Sequence, residues 1–240
     1  MEAILLAGGK AERLGAAAQG RPKALVDVAG QPLACYQVRW LAAAGVTRVI
    51  VSCRAGQEDE FGDALAELGV ELAFAGEQEP LGRGGALRFA AQWREERGPC
   101  FALNGDELFD VDLAGLLAHH DDRAPAATIT VAPLPSPFGI VEVAEDDVVT
   151  GFREAPKLPH WVNMGLYVLD DQAIDRLPER GDHEQSTFPE LAAEGRLLAF
   201  RHEGLWLTVN TPKDLRRAEE HFSRPQALDP LARIQGRENR

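Results

Sequence analysis

A chain of 240 residues, 45% apolar and 26% charged, carries enough hydrophobic material for one large α/β domain or two small ones without disulfide staples. Its 25 Lys and Arg against 38 Asp and Glu leave a formal charge of −13. A surface of that sign repels nucleic acid and anionic lipid, so neither is an expected partner, and a phosphorylated ligand would need a local basic pocket or a metal site.

No apolar run approaches the length of a membrane span. Ala3 opens an apolar strand with no basic leader before it, so no signal peptide is expected and the expected compartment is the cytoplasm. Cys35, Cys53 and Cys100 sit in or beside apolar runs without metal-type spacing, which predicts buried free thiols in a reducing compartment.

In chain order, residues 3–6 (Ala-Ile-Leu-Leu) form a continuous apolar run that stops at Gly8-Gly9, the pattern of a buried strand. After a loop with Gly, Lys and Arg, Pro32 suits the first turn of a helix. Leu33, Tyr36, Trp40, Leu41 and Ala44 keep helical spacing, and Gly45 ends it. A strand over 48–53 precedes a helix with Phe61, Ala64, Leu65 and Leu68 on one face, stopped at Gly69. A strand over 70–75, a helix from about Gly84 and a strand over 100–103 follow, the last ending in Asn104-Gly105-Asp106. Strands alternating with helices at this spacing predict βαβ units and a largely parallel sheet, whose ligands bind beyond the carboxyl ends of the strands. The Gly8 loop and the Asp106 turn both lie at such ends and are expected to meet.

Beyond a helix over 113–120 the texture changes. Short strands over 128–132, 139–143 and 148–152 are divided by Pro, Gly and acidic turns, and 163–169 is another apolar run. Short helices over 172–177 and 187–193, strands over 197–201 and 206–209, and a helix from Pro212 complete the order. These strands are expected to extend the same sheet and to add a substrate-facing lobe, within one domain over 1–222. Residues 223–240 have little apolar content and are predicted to be a loose tail.

Several groups of residues carry chemistry. Paired glycines after a strand (Leu6-Ala7-Gly8-Gly9) let backbone N–H groups approach an anion, and Arg13 and Lys23 add positive charge for phosphate oxygens. Neither a Walker A nor a dinucleotide fingerprint is present. Gly82, Gly84 and Gly85 before a helix can admit a flat base, or simply loosen the helix start. Asp106 at a buried strand end suits a Mg²⁺ ligand, whereas Asp110 and Asp112 read as solvated or capping residues. Ser186 or Thr187 is expected to cap a short helix.

The first group, extended through Arg21-Pro22-Lys23-Ala24-Leu25 and Gly30-Gln31-Pro32-Leu33, resembles the sugar-1-phosphate nucleotidyltransferases, and later motifs fall in that family's order up to about Glu220. The short mannose-1-phosphate and heptose-1-phosphate guanylyltransferases are the most similar branch. The resemblance implies a Rossmann-like, three-layer α/β fold of GT-A type with a mixed, mainly parallel sheet. It implies a nucleotide-binding half over 1–122 and a sugar-phosphate half over 123–222. It also implies an enzyme that joins a nucleoside triphosphate to a sugar 1-phosphate, as a monomer or homodimer.

Carried residue by residue, the resemblance makes Arg13, Lys23 and Asp106 catalytic and puts the nucleotide against Leu6, Ala7, Gly8, Gly9, Gly82, Gly84 and Gly85. It implies sugar-phosphate contacts from Glu154, Lys157, Asn163 and Gly165, and Mg²⁺ on Asp106 with Asn210. The chain departs from the pattern at Arg83, at Ala155 in place of Lys, and at Thr208 or Asn210 where relatives carry a second acid. A thymidylyl-, uridylyl- or cytidylyltransferase, a weakly catalytic sugar-nucleotide-binding subunit and a glycosyltransferase of similar fold are the alternatives.

Overall fold

The structure is a computed structural model and describes residues 1–223. The tail expected from 223 onward lies, apart from Ser223, outside the described residues. A seven-stranded sheet forms the middle layer. Its strands, in chain order, are β1 (Glu2–Leu6), β4 (Arg48–Arg54), β5 (Glu71–Glu77), β6 (Cys100–Asn104), β8 (Ala127–Pro135), β11 (Lys157–Leu169) and β12 (Leu197–Arg201). Six shorter strands in the described residues stand apart from it, among them β2 (Asp27–Val28), β3 (Gln31–Pro32), β7 (Glu107–Phe109) and β13 (Trp206–Thr208).

The spatial order is β12-β8-β11-β6-β1-β4-β5. All neighbours are parallel except β11, which runs antiparallel to both β6 and β8. The sheet is therefore mixed and mainly parallel. β1 lies between β4 and β6, in a register that sets Leu6 beside both Ser52 and Asn104.

The continuous apolar runs divide between the two faces with a period of two. Ala3 and Leu5 pack with α1 (Leu33–Ala43), α2 (Glu58–Leu65) and α4 (Leu113–Asp121) on one face. Ile4 packs with α3 (Gly82–Ala90), α5 (Asp171–Asp175) and α6 (Thr187–Ala193) on the other. Both faces of each central strand are covered, so these strands read as unbroken hydrophobic runs rather than alternating ones. The three cysteines are free and buried. Burial pushes the thiols of Cys53 and Cys100 up to about 12, which leaves them poor nucleophiles.

A third apolar cluster positions the site. Leu215, Ala218 and Phe222 of α7 (Pro212–Phe222) pack with Leu14, Ala18, Val26 and Val28 from the loop after β1, and with Leu108 and Leu207 of β7 and β13. Thr211 and Asp214 form a reciprocal capping box with Pro212 in the first turn, so α7 begins where Thr211-Pro212 predicts.

Two expectations need correction. Of the later strands, β8, β11 and β12 join the sheet, but β9 (Ile140–Val143) and β10 (Val149–Arg153) form a separate two-stranded ribbon, and β13 pairs only with β7. The ribbon exposes Val141, Val143, Val149 and Phe152, so their apolar character does not report burial in the sheet. Ser186 and Thr187 do not cap α6: their hydroxyls donate to the carbonyls of Asp182 and Arg176.

Candidate active site

The carboxyl ends of β1, β4, β5 and β6 open into a cavity of about 1130 Å³. Leu6, Ala7, Gly8, Gly9, Arg13, Lys23, Gly82, Asp106 and Asn210 all line it. Three backbone bonds draw together segments far apart in sequence: Gly105 N–H to Leu6 O at 2.8 Å, Val209 N–H to Asp106 O at 2.9 Å, and Lys23 N–H to Gly9 O at 3.5 Å. Gly105 must be glycine for this closeness, because a Cβ there would stand 2.6 Å from the Leu6 carbonyl oxygen.

Lys23 lies at the centre, only 9% exposed. Its ammonium contacts the Asp106 carboxylate and donates to Asn210 Oδ1 at 2.5 Å. Arg13 donates to the same amide oxygen at 2.6 Å. Lys10, Arg54 and Arg83 bring the wall to five cations, facing the carboxyl groups of Glu12, Glu77, Asp106 and Glu107. Glu107 accepts from Trp206 Nε1 at 2.8 Å. Burial, with the neighbouring Asp106 charge, pushes its carboxyl up to about 9, so it keeps its proton at neutral pH. The cavity wall thus gathers five cations, within a chain of charge −13.

Gly84 and Gly85 are buried and do not line the cavity. The segment 178–183 lies directly on the α3 N-terminus. Gly84 and Gly85 both donate their N–H to Gly181 O, at 2.9 and 3.2 Å. A Cβ on Gly84 would come within 2.7 Å of His183 N, and one on Gly85 within 2.7 Å of Glu179 O. The glycines serve this close approach, and the carbonyl of Gly181 occupies their amides.

Arg83 is clasped by Asp182 and Glu184, with Nε to Asp182 Oδ2 at 2.9 Å and Nη1 to Glu184 Oε1 at 2.9 Å. Burial works to raise the Asp182 pKa, but the Glu184 N–H and Arg83 outweigh it and hold the carboxyl below its ordinary value. Glu184 Oε1 also accepts from Asn163 Nδ2 at 2.7 Å, so Asn163 is engaged from within the chain. Asn163 Nδ2 also donates to Tyr167 OH at 2.9 Å.

Gly165 packs against Asn104, which lines the cavity, but neither Asn163 nor Gly165 reaches the wall. Glu154 and Lys157 also lie off the wall, and Lys157 pairs with Glu203 at 3.7 Å. Asp112 caps α4 by accepting from Gly115 N at 3.0 Å. Asp110 accepts from Leu205 N at 2.6 Å.

Sequence reasoning missed Arg54 and Glu77. They are register partners at the ends of β4 and β5, and both line the cavity. The Glu77 carboxylate accepts from Ser52 Oγ at 2.9 Å and from Leu81 N at 3.2 Å. The rule that ligands bind beyond strand ends would have found both, had it been applied to every parallel strand. Among the described residues no cluster of three or more His, Cys, Asp and Glu is arranged to hold a metal, and no helix is long and apolar enough to cross a membrane.

Comparison with known proteins bears on what such a cavity serves. The profile of the family described as Nucleotidyl transferase matches residues 2–224. Mannose-1-phosphate guanyltransferase beta-B of Xenopus laevis is 33% identical over 224 residues, covering 89% of this chain and 62% of that protein. Mannose-1-phosphate guanylyltransferase of Mycobacterium tuberculosis is 33% identical over 245 residues, covering 97% and 67%. The chain thus spans about 62% of the length of the Xenopus relative.

Two solved structures share the fold. HddC from Yersinia pseudotuberculosis has TM-score 0.72 and 23% identity, covering 92% of this chain and 99% of its own. A putative glucose-1-phosphate thymidylyltransferase from Bacillus anthracis has TM-score 0.75 and 20% identity, covering 94% and 96%.

Proposed function

The chain belongs to the nucleotidyl transferase family, and we propose that it transfers a nucleotidyl group from a nucleoside triphosphate to a sugar 1-phosphate, releasing pyrophosphate. We further propose guanylyl transfer to mannose 1-phosphate or a related sugar, the activity named for the relatives at 33% identity. The observation that carries the reading is the convergence of Arg13, Lys23 and Asp106 on one cation-rich cavity in an acidic chain.

A phosphate oxygen of the sugar 1-phosphate attacks the α-phosphorus. A new P–O bond forms as the bond to the β-phosphate breaks, and the electron pair leaves with pyrophosphate. The attacking phosphate is already ionised, so the protein need supply no nucleophile. Its work is to position two anions and to offset charge. Arg13 presents a planar fork to the departing pyrophosphate, and Lys23 a point charge to the α-phosphate. Nucleotidyltransferases of this family generally use a divalent metal. The hard oxygens of Asp106 and Asn210 fit Mg²⁺, which would supply Lewis-acid polarisation and a template for the triphosphate.

Base choice has support at Glu77. A carboxylate has about four lone-pair sites, and Ser52 and Leu81 use one on each oxygen of Glu77. The remaining two form an acceptor pair suited to the adjacent N1–H and 2-amino donors of guanine. Asn163 and Gly165 are assigned to the sugar side through Gly165's contact with the cavity residue Asn104, and Glu154 and Lys157 to the sugar phosphate on the family resemblance alone.

The test is pyrophosphate release with GTP, CTP, UTP and dTTP against common sugar 1-phosphates. Turnover with GTP and mannose 1-phosphate is expected. Nucleotide binding without any pyrophosphate release would instead favour a regulatory subunit, a reading prompted by neutral Thr208 and Asn210, at one or the other of which the family resemblance implies an acid.

A further inference from the structure

We propose that in the ligand-free protein Lys23 holds the place of the divalent cation, so that the cation binds only together with the triphosphate that draws Lys23 away. The inference rests on the triphosphate site proposed above and concerns the order in which that site fills.

The buried ammonium of Lys23 spans the Asp106 carboxylate and Asn210 Oδ1, the two oxygens best placed to hold a cation. An amide oxygen has about two lone pairs, and Asn210 Oδ1 already accepts from Lys23 at 2.5 Å and Arg13 at 2.6 Å. One carboxylate, Asp106, thus shares this cluster with two cations, Lys23 in contact with it and Arg13 joined through Asn210. The local charge is positive, which repels a free divalent ion and attracts an anionic complex of that ion with phosphate.

The other carboxyl groups on the wall are committed elsewhere. Glu107 is bonded to Trp206 and Glu12 pairs with Lys10 at 3.4 Å, while Glu77 is held by Ser52 and Leu81 and its two remaining acceptor sites are those assigned above to the base. Magnesium-type ions keep several waters and bind through one or two carboxylates plus substrate phosphates. Incoming phosphate oxygens offer Lys23 and Arg13 new acceptors. Once both turn to the phosphates, Asp106 and Asn210 regain free lone pairs. The exchange replaces one ammonium–anion contact with another, so it costs little at the moment of binding.

The probe is Mn²⁺, followed on the full chain by water-proton relaxation enhancement, with and without inorganic tripolyphosphate. Wild type alone is expected to give no enhancement at low-millimolar Mn²⁺, and to give it when tripolyphosphate is added. Asn210→Asp is expected to bind Mn²⁺ without phosphate at least about tenfold more tightly than wild type, since charge count sets affinity at such sites. Lys23→Met, which frees Asp106, should shift the same way.

Stoichiometric Mn²⁺ binding by wild type in the absence of phosphate would overturn the proposal. So would a folded Asn210→Asp protein that gains no affinity. Enhancement in neither condition, and none when GTP replaces tripolyphosphate, would show that the cavity takes no triphosphate, which removes the proposed function along with the order of filling.

Discussion

Exchanging Glu77 for Gln leaves side-chain volume almost unchanged and alters only which atoms can accept. Ser52 Oγ donates to one carboxylate oxygen at 2.9 Å and the Leu81 N–H to the other at 3.2 Å. A main-chain N–H can only donate, so the Gln carbonyl must stay with Leu81. The amide NH₂ then falls toward Ser52, whose hydroxyl can rotate to accept. The cavity, which saw two acceptors side by side, now sees one acceptor and one donor.

In the proposed binding mode guanine presents two adjacent donors to this edge, so one of them meets another donor. A hydrogen bond to a charged group contributes about 1.5–3 kcal/mol, which is roughly a 10- to 150-fold loss in kcat/KM for GTP. ITP lacks the 2-amino group and should lose less, about tenfold or under. The assay is pyrophosphate release with each triphosphate at saturating mannose 1-phosphate. If E77Q turns over with the wild-type ratio of GTP to ITP, Glu77 does not read the base and the argument fails.

Other consequences follow from residues around the cavity. His183 is fully buried with neither ring nitrogen hydrogen-bonded, and burial lowers its pKa from 6.5 to about 4. Below pH 6.5 the unfolded chain takes up a proton that the folded chain refuses. Stability therefore falls as pH drops from 6.5 toward 4, with a ceiling of about 3 kcal/mol. Urea unfolding at pH 7.5 and 5 should show this slope, and His183→Leu should flatten it.

Gly84→Ala sets a Cβ 2.7 Å from His183 N and 2.8 Å from Pro178 Cγ. Overpacking against backbone should cost about 1–3 kcal/mol, a fall in Tm of roughly 2–12 °C for a domain of this size, read by calorimetry. Arg83→Met leaves Asp182 and Glu184 without the cation that clasps them. Hydrogen exchange should then quicken in residues 181–187 while β1 and β6 keep their protection.

What could be seen in the chain beforehand follows from where local pattern and packing agree. Ile4 and Leu5 sit in a run covered on both faces, and Pro32, Gly45 and Thr211-Pro212 punctuate helices by their own backbone chemistry. Such signals need no partner, and the main strands and helices from β1 to α7 were readable from them, whereas the short strands β2, β3 and β7 were not. The ribbon of β9 and β10 was not, because Val141 and Phe152 carry strand character while facing solvent. Propensity reports extended backbone, and only tertiary structure reports which sheet receives it.

The same division holds in the site. Arg13, Lys23 and Asp106 were legible as charged groups beside glycine turns at strand ends. The role of Gly84 and Gly85 was not, because what demands a missing side chain there is the backbone of 178–183, about 95 residues away. Glu77 and Arg54 carried no motif, and only the sheet register shows that they share an end.

The three backbone bonds that join Leu6 to Gly105, Asp106 to Val209 and Gly9 to Lys23 leave the functional side chains free to exchange partners. The apolar cluster of α7 with Leu14, Val26 and Leu207 holds that framework from behind. Lys23, Asp106, Asn210 and Arg13 satisfy one another across the cavity, so the buried Lys23 charge is not left unpaired. An anionic substrate then competes with existing contacts rather than filling a void. Binding affinity should accordingly be set by the difference between two sets of ion pairs. Specificity should be set by the groups that change least on binding, Glu77 among them, because only a fixed acceptor pair can refuse the wrong base.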